Sequence, residues 1–117
     1  MDFETLRPYL LPGAVLGYLA WRQLRFRAVK KGLPGLRASG AVFVDVRTPG
    51  EFASGNRPGS INIPLDAIAA RAGELDKEKP VVLCCASGAR SGAAAGILKA
   101  MGFRNVTNAG PWQNTLG

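Results

Sequence analysis

The stretch Val81-Val82-Leu83-Cys84-Cys85-Ala86-Ser87-Gly88-Ala89-Arg90-Ser91 decides how this chain is read. It opens with an apolar, partly β-branched run of strand length, continues through small residues and a glycine, and leads into the helix-prone segment Arg90 to Met101. Cys85 is thereby delivered to a loop at a helix N-terminus. Unpaired N–H groups there carry partial positive charge and favour a thiolate or a bound anion. Thiolate is the reactive form of cysteine. Gly88 permits positive φ and lets backbone amides approach the sulfur, while Arg90 adds a permanent positive charge at the far end of the loop.

The segment Cys85-Ala86-Ser87-Gly88-Ala89-Arg90-Ser91 resembles the Cys-x-x-Gly-x-Arg-Ser active loop of single-domain rhodaneses, which are sulfurtransferases. Two upstream stretches agree. Val42-Phe43-Val44-Asp45-Val46-Arg47, followed by Glu51-Phe52, resembles the family's Asp-Val-Arg strand and next helix. Pro58-Gly59-Ser60-Ile61-Asn62-Ile63-Pro64 resembles its Pro-Gly-Ala-x-Asn-Ile-Pro turn and strand. Three motifs in the right order are far more specific than any one. The resemblance implies a five-stranded sheet, Cys85 as sulfur carrier, and thiosulfate with cyanide as the assay pair. Many members carry a histidine where this chain has Asn56 or Arg57, a departure that leaves substrate choice open.

Composition narrows the chemistry independently. The chain has 117 residues, 47% hydrophobic and 20% charged, enough for one packed domain and little more. There is no histidine, which removes Cys-His and Ser-His-Asp mechanisms and leaves backbone dipoles and arginine to activate a nucleophile. Two adjacent cysteines form no disulfide framework and offer no zinc-ligand spacing, so neither a metal nor a cofactor is expected.

Net charge is +7, concentrated toward the N-terminus, where residues 1–31 carry six basic and two acidic side chains. Such a surplus suits an anionic membrane surface or an acidic partner. No basic and aromatic motif of a nucleic-acid module is present, so nucleic acid is not expected as a partner. Pro8 to Trp21 is an uncharged run of fourteen residues. As a helix it measures roughly 21 Å against a hydrocarbon core of about 30 Å, too short for a clean span, and Pro12 and Gly13 weaken it. Tyr9, Tyr18 and Trp21 lie near its ends, and Arg22, Arg25, Arg27, Lys30 and Lys31 follow at once, as at a membrane interface. Docking on a partner subunit and packing on its own domain are the alternatives. The basic cluster follows the apolar run, with no small-x-small cleavage site, which argues against a secretory signal. A cytoplasmic domain, attached to the inner face of the membrane if residues 1–31 engage it, is the expected location.

The expected architecture is a small α/β domain, a mainly parallel four- to five-stranded sheet flanked by helices, with an N-terminal helical extension. Residues 1–31 form the apolar and basic extension. Residues 32–40, rich in turn formers, read as a linker with at most one short helix, and residues 41–117 as the rhodanese-like catalytic domain. Four strands are clear, and a fifth at the edge would have to hide near residues 31–36. Val42 to Val46 is a strand, after which Thr48, Pro49 and Glu51 spell a helix start with a capping box. Ser60 to Pro64 is a short strand, Leu65 to about Ala72 a helix with Asp66 as cap or first-turn acid, and Asn105 to Thr107 the last strand. Asn108 to Trp112 reads as a turn into a terminal helix start, with Trp112 packing over the domain edge.

The site residues follow from this layout. Cys85 and Arg90 are the catalytic candidates, with Ala86, Ser87, Gly88, Ala89 and Ser91 as the loop that binds the persulfide. Asp45, at a buried strand end, reads as a structural anchor rather than a catalyst. Arg47 either pairs with Asp45 or Glu51 or lines the site mouth, where Arg57 also stands as a candidate. Counting from Cys84 instead gives Cys-x5-Arg, the spacing of cysteine phosphatases, although Leu83 occupies the place where those loops usually have histidine. Cys84 reads better as a small apolar residue at a strand end.

The expected reaction moves a sulfane sulfur from thiosulfate or a persulfide to cyanide, a thiol or a persulfide-carrying protein, through a persulfide on Cys85. A phosphatase or arsenate reductase relative using Cys84 is one competing class. A non-catalytic docking module working through residues 1–31 is the other.

Overall fold

The computed structural model describes residues 3–116, with side chains from residue 12 onward. Tyr9, expected near one end of the apolar run, lies outside the described side chains. In chain order the elements are α1 (Phe3–Ala38), β1 (Val42–Asp45), α2 (Pro49–Ala53), β2 (Ile61–Asn62), α3 (Ile68–Arg71), β3 (Val81–Cys85), α4 (Ala89–Ala100) and β4 (Val106–Pro111). Single 3-10 turns flank α3 at Leu65–Ala67 and Ala72–Glu74, and another covers Trp112–Thr115.

The four strands form one parallel sheet in the order β2-β1-β3-β4, with β1 and β3 at its centre. Parallel sheets are covered on both faces, which is why β1 and β3 read as unbroken apolar runs rather than alternating ones. One face carries Val44, Val46, Leu83 and Cys85 against Ile68 of α3 and Ala94, Ala95 and Leu98 of α4. The other carries Phe43, Val82 and Ala109 against Leu33 of α1, with Val29 and Leu36 beside it. The buried positions of α4, Ser91, Ala94, Ala95 and Leu98, recur at helical spacing, and their small size lets the helix lie close to the sheet.

Residues 31–38 depart from the sequence expectation. They are not a linker, and no edge strand lies in them, because α1 continues to Ala38 through Gly32, Pro34 and Gly35. An interior proline costs a helix about 3 kcal/mol by removing one hydrogen bond and crowding the preceding turn. Here Leu33 and Leu36 are drawn onto the sheet, and tertiary burial of that kind outweighs local propensity. Lys30, whose carbonyl loses its partner to Pro34, is exposed, so water can satisfy it.

Three smaller boundaries also shift. The helix expected from Leu65 to Ala72 is one α-helical turn between two 3-10 turns, with Asp66 a first-turn acid rather than a cap. The strand expected over Ser60 to Pro64 shortens to Ile61–Asn62. The last strand runs on to Pro111, so Asn108 to Pro111 belong to β4 rather than to a turn: Asn108 pairs with Leu83 and Pro111 with Cys85, with a register irregularity between the two pairs. The Thr48 start of α2 is as expected: its hydroxyl accepts from the Glu51 N–H, and the Glu51 carboxylate accepts from the Thr48 N–H, a complete capping box.

Candidate active site

All five residues of β3 are buried, so the strand is fixed on both faces up to the point where Cys85 leaves it. Gly88 then turns the chain at φ +101° and stands at the N-cap of α4. No side chain fits there: a Cβ would lie 2.9 Å from the Phe26 ring and 3.1 Å from the Gly110 Cα. With that turn made, the Gly88 N–H donates to Cys85 Sγ at 2.9 Å, and the Ser91 hydroxyl lies 3.3 Å from the same sulfur. Cys85 itself is 0% exposed, beneath the exposed small residues Ala86, Ser87 and Ala89.

The electrostatics of the two cysteines diverge. Burial pushes the Cys85 thiol up, but hydrogen bonds from the Ser91 hydroxyl and from the backbone N–H groups of Ser91, Gly88 and Ser87 outweigh it and hold the thiol below its ordinary value. Cys84 faces the other way and has no such donors. Burial, and then the neighbouring Asp45 carboxylate, push its thiol up to about 12, so it stays protonated at neutral pH. That environment disfavours Cys84 as a nucleophile at neutral pH.

Arg90 does not point into open space above the loop. Its guanidinium grips the Glu51 carboxylate through two bonds of 2.7 and 3.0 Å, tying the start of α4 to the capping box of α2. The hydrogen bond from Arg90, followed by the one from the Thr48 backbone, lowers the Glu51 carboxyl to about 2. Arg47 pairs with Asp45. Its Nε and Nη2 donate to both carboxylate oxygens at 2.7–3.1 Å, and its remaining N–H groups reach the carbonyls of Glu51 and Gly55. At 5% exposed, with its guanidinium 5.1 Å from the Trp112 ring, Arg47 ties β1 to the segment around α2 and the C-terminal turn.

Arg57 is placed elsewhere as well. It stacks 3.8 Å from the Phe43 ring centre, on the α1 side of the sheet, and donates to the Thr115 and Pro58 carbonyls. The side-chain hydrogen bonds of Arg47 and Arg57 go to Asp45, Glu51, Gly55, Pro58 and Thr115, whereas Gly88 and Ser91 bond the Cys85 sulfur and Arg90 closes the loop against Glu51.

Three participants are not marked by the sequence. Asn108 accepts from the Ser91 hydroxyl at 2.6 Å and from the Gly110 N–H, and donates to the Gly88 carbonyl, so one side chain of β4 fixes both ends of the loop. Phe26 of α1 packs against Gly88 and Gly110, where a Cβ on the latter would lie 2.8 Å from its ring. Arg22, one turn earlier, donates to the Ser87 carbonyl. Asn108 and Phe26 belong to no local pattern, and Arg22 reads in sequence only as one of the basic residues after the apolar run, since each acts on residues remote in sequence.

A family profile described as a rhodanese-like domain matches residues 29–109. The chain belongs to the rhodanese-like family. A sulfurtransferase of Allochromatium vinosum is 40% identical over 67 residues, covering 57% of this chain and 63% of that protein. A thiosulfate sulfurtransferase, GlpE, of Pseudomonas syringae is 42% identical over 71 residues, covering 61% and 67%. Among solved structures, a rhodanese with anions from E. coli superposes with a TM-score of 0.60 at 37% identity over 63% of this chain and 89% of that one. A human single-domain sulfurtransferase, TSTD1, gives 0.64 at 28% identity, covering 74% and 90%. The chain thus spans less than two thirds of the Allochromatium relative. Residues Tyr18 to Phe26 of this rhodanese-like chain, which include the contacts of α1 with the loop, precede the matched region.

Proposed function

We propose that this chain is a rhodanese-type sulfurtransferase carrying a sulfane sulfur on Cys85. The observation that carries the reading is the pair of donors on Sγ, the Gly88 N–H at 2.9 Å and the Ser91 hydroxyl at 3.3 Å, which favour a thiolate in a chain without histidine. That thiolate attacks the outer sulfur of thiosulfate. The donor's S–S bond breaks, sulfite departs with the electron pair, and the new Cys85 persulfide holds its negative charge among the backbone N–H groups of Ala86 to Arg90. Cyanide or a thiolate then takes the outer sulfur, and the Cys85 thiolate returns. No proton has to move, which suits a site lacking a general base.

Relatives named thiosulfate sulfurtransferase support thiosulfate as a donor. A Bacillus subtilis relative named a putative sulfur carrier protein, 38% identical over 68 residues, supports a persulfide-carrying protein as a partner. Because Cys85 has no exposed surface, the donor reaches it as the loop of small residues Ala86 to Ala89 yields. Arg90, already paired with Glu51, orients the loop and meets an anionic donor only in competition with that carboxylate. The enzyme works in the cytoplasm, at the inner face of the membrane through residues 1–31.

Intact-protein mass spectrometry after exposure to thiosulfate tests the reading. One added sulfur is expected on the wild-type chain and none on Cys85→Ser. Retention of the added sulfur in Cys85→Ser rejects Cys85 as carrier, and its absence from the wild type with every donor rejects sulfur transfer.

A further inference from the structure

The sheet ends on one side in β2, two residues long, and on the other in β4, which pairs with β3 alone among the described residues. Across β3 and β4 the Val81 N–H donates to the Asn105 carbonyl, and this bond fixes the alternation of the parallel ladder. Asn105 and Thr107 turn their main-chain groups toward β3, whereas Val106 and Asn108 turn theirs outward. Such a row of outward N–H and C=O groups is a template for another strand.

That edge lies in a groove. Helices α1 and α4 cover opposite faces of the sheet, and their flanks stand on either side of β4. Arg25 and Val29 line one side, Gly96 and Lys99 the other, and Val106 to Asn108 form the floor of a cavity of about 430 Å³. All three floor residues are partly exposed, so the strand is reachable. A Cβ on Gly96 would meet nothing within 4 Å, so the α4 wall stands back from the strand. Arg25, Gly92 and Asn108 also line an adjoining cleft of about 550 Å³, which reaches Ser87, Gly88 and Ala89 of the Cys85 loop.

The charged side chains lining the two clefts are Arg22, Arg25 and Lys99, and among the described residues no carboxylate lines either. Arg22 bonds the Ser87 carbonyl and Arg25 lies over the Trp21 ring, neutral groups that leave both charges uncancelled. A second copy pairing through its own β4 would set these cations against their equivalents, which is how charged side chains protect an open edge. A nucleic acid would match the charge but has no peptide main chain to match the edge. An acidic polypeptide in extended form matches both.

We infer that the outer edge of β4 receives an extended acidic segment of another protein as an added strand, its main chain on Val106 and Asn108. Side chains of a strand alternate between faces, and Arg25 and Lys99 stand on opposite faces, so the segment carries two carboxylates at odd spacing. On the sulfurtransferase reading, on which this clause alone rests, the segment belongs to a protein that exchanges sulfur with Cys85, because the groove leads to its loop.

The test uses the full chain and a short capped peptide of threonine and valine with two adjacent glutamates at its centre. Titration followed by amide NMR should shift the Val106 and Asn108 N–H signals and slow their hydrogen exchange, with Thr107, already bonded to β3, moving less. The same peptide with lysines for glutamates, or with all its amides N-methylated, should bind at least ~10-fold more weakly. Gly96→Gln, which narrows the groove, and the pair Arg25→Glu with Lys99→Glu should each weaken binding by a similar factor, while persulfide formation from thiosulfate is unaltered. Gly96→Gln also raises helix propensity, so it leaves α4 folded. The inference is overturned by no binding of the glutamate peptide at millimolar concentration, or by equal binding of the lysine or N-methylated peptide. It is also overturned if the Val106 and Asn108 signals move with protein concentration in the absence of peptide, which would make a second copy the occupant. Binding is read without any sulfur chemistry, so its failure and the failure of sulfur transfer are separate results.

Discussion

The hydroxyl of Ser91 stands between two acceptors, Cys85 Sγ at 3.3 Å and Asn108 Oδ1 at 2.6 Å, and has one proton to give. With the thiol protonated, Ser91 donates to Asn108 and its oxygen can receive the S–H. With the thiolate formed, turning the hydroxyl toward sulfur stabilises the charge, and Asn108 Oδ1 keeps its bond from the Gly110 N–H. Ser91→Ala removes that option. Sulfur transfer at neutral pH should fall by roughly 10- to 100-fold, the worth of one hydrogen bond to a charged group at about 1.5–3 kcal/mol, and the pH–rate midpoint should move to higher pH. Recovery of the rate at alkaline pH separates this role from a merely structural one. An unchanged pH profile would remove Ser91 from the activation of Cys85.

The adjacent thiols should behave as different chemical species. Cys84, pushed up to about 12 by burial and Asp45, should resist alkylation in the folded chain up to high pH, whereas Cys85 should alkylate as its thiolate whenever the loop opens. Cys84→Ala should retain sulfur transfer within about 2-fold, with a stability loss from the vacated volume of about 1 kcal/mol. Peptide mapping after limited iodoacetamide treatment reads the selectivity directly, and preferential labelling of Cys84 would reverse the assignment.

The Asp45–Arg47 pair is closed on both sides, so breaking it leaves a buried charge without its partner. Asp45→Asn should lower unfolding free energy by about 3–5 kcal/mol, visible as a lower denaturant midpoint. The double substitution Asp45→Asn, Arg47→Met removes the stranded cation and should recover part of the loss. A double variant no more stable than Asp45→Asn would show that Arg47 contributes through its bonds to the Glu51 and Gly55 carbonyls instead.

What the sequence reveals and what it hides divide along the distance over which each residue acts. Thr48, Pro49 and Glu51 start α2 through contacts three residues apart, and the Cys85 loop is a strand, a turn and a helix start in succession, so both are legible in order. Helix α1 is not legible across Gly32, Pro34 and Gly35, because the stabilisation that carries it through comes from Phe43, Val82 and Ala109, which no local window contains. The placement of Arg57 is hidden for the same reason: its stacking partner Phe43 lies on the far face of the sheet from the side chain of Cys85. Asn108 is silent in sequence because its role exists only where β4 passes beside the loop.

Glu51 joins two functions in one carboxylate, closing the capping box of α2 and holding Arg90, 39 residues away. Its folded pKa of about 2 lies below the ordinary 4.5, so the pair's contribution to stability is fully present above the ordinary value and is lost as pH falls toward 2. Acid unfolding of the wild type should therefore steepen between about pH 5 and 2, and Glu51→Gln should flatten that part of the profile while lowering stability at neutral pH. Both partners are more than a third exposed, so added salt should shrink the difference. The same substitution frees the Arg90 guanidinium for an anionic donor, and KM for thiosulfate should fall even as the fold weakens. A higher KM, with kcat reduced in parallel, would mean that Arg90 must be held by Glu51 for the loop to keep its amides on Cys85.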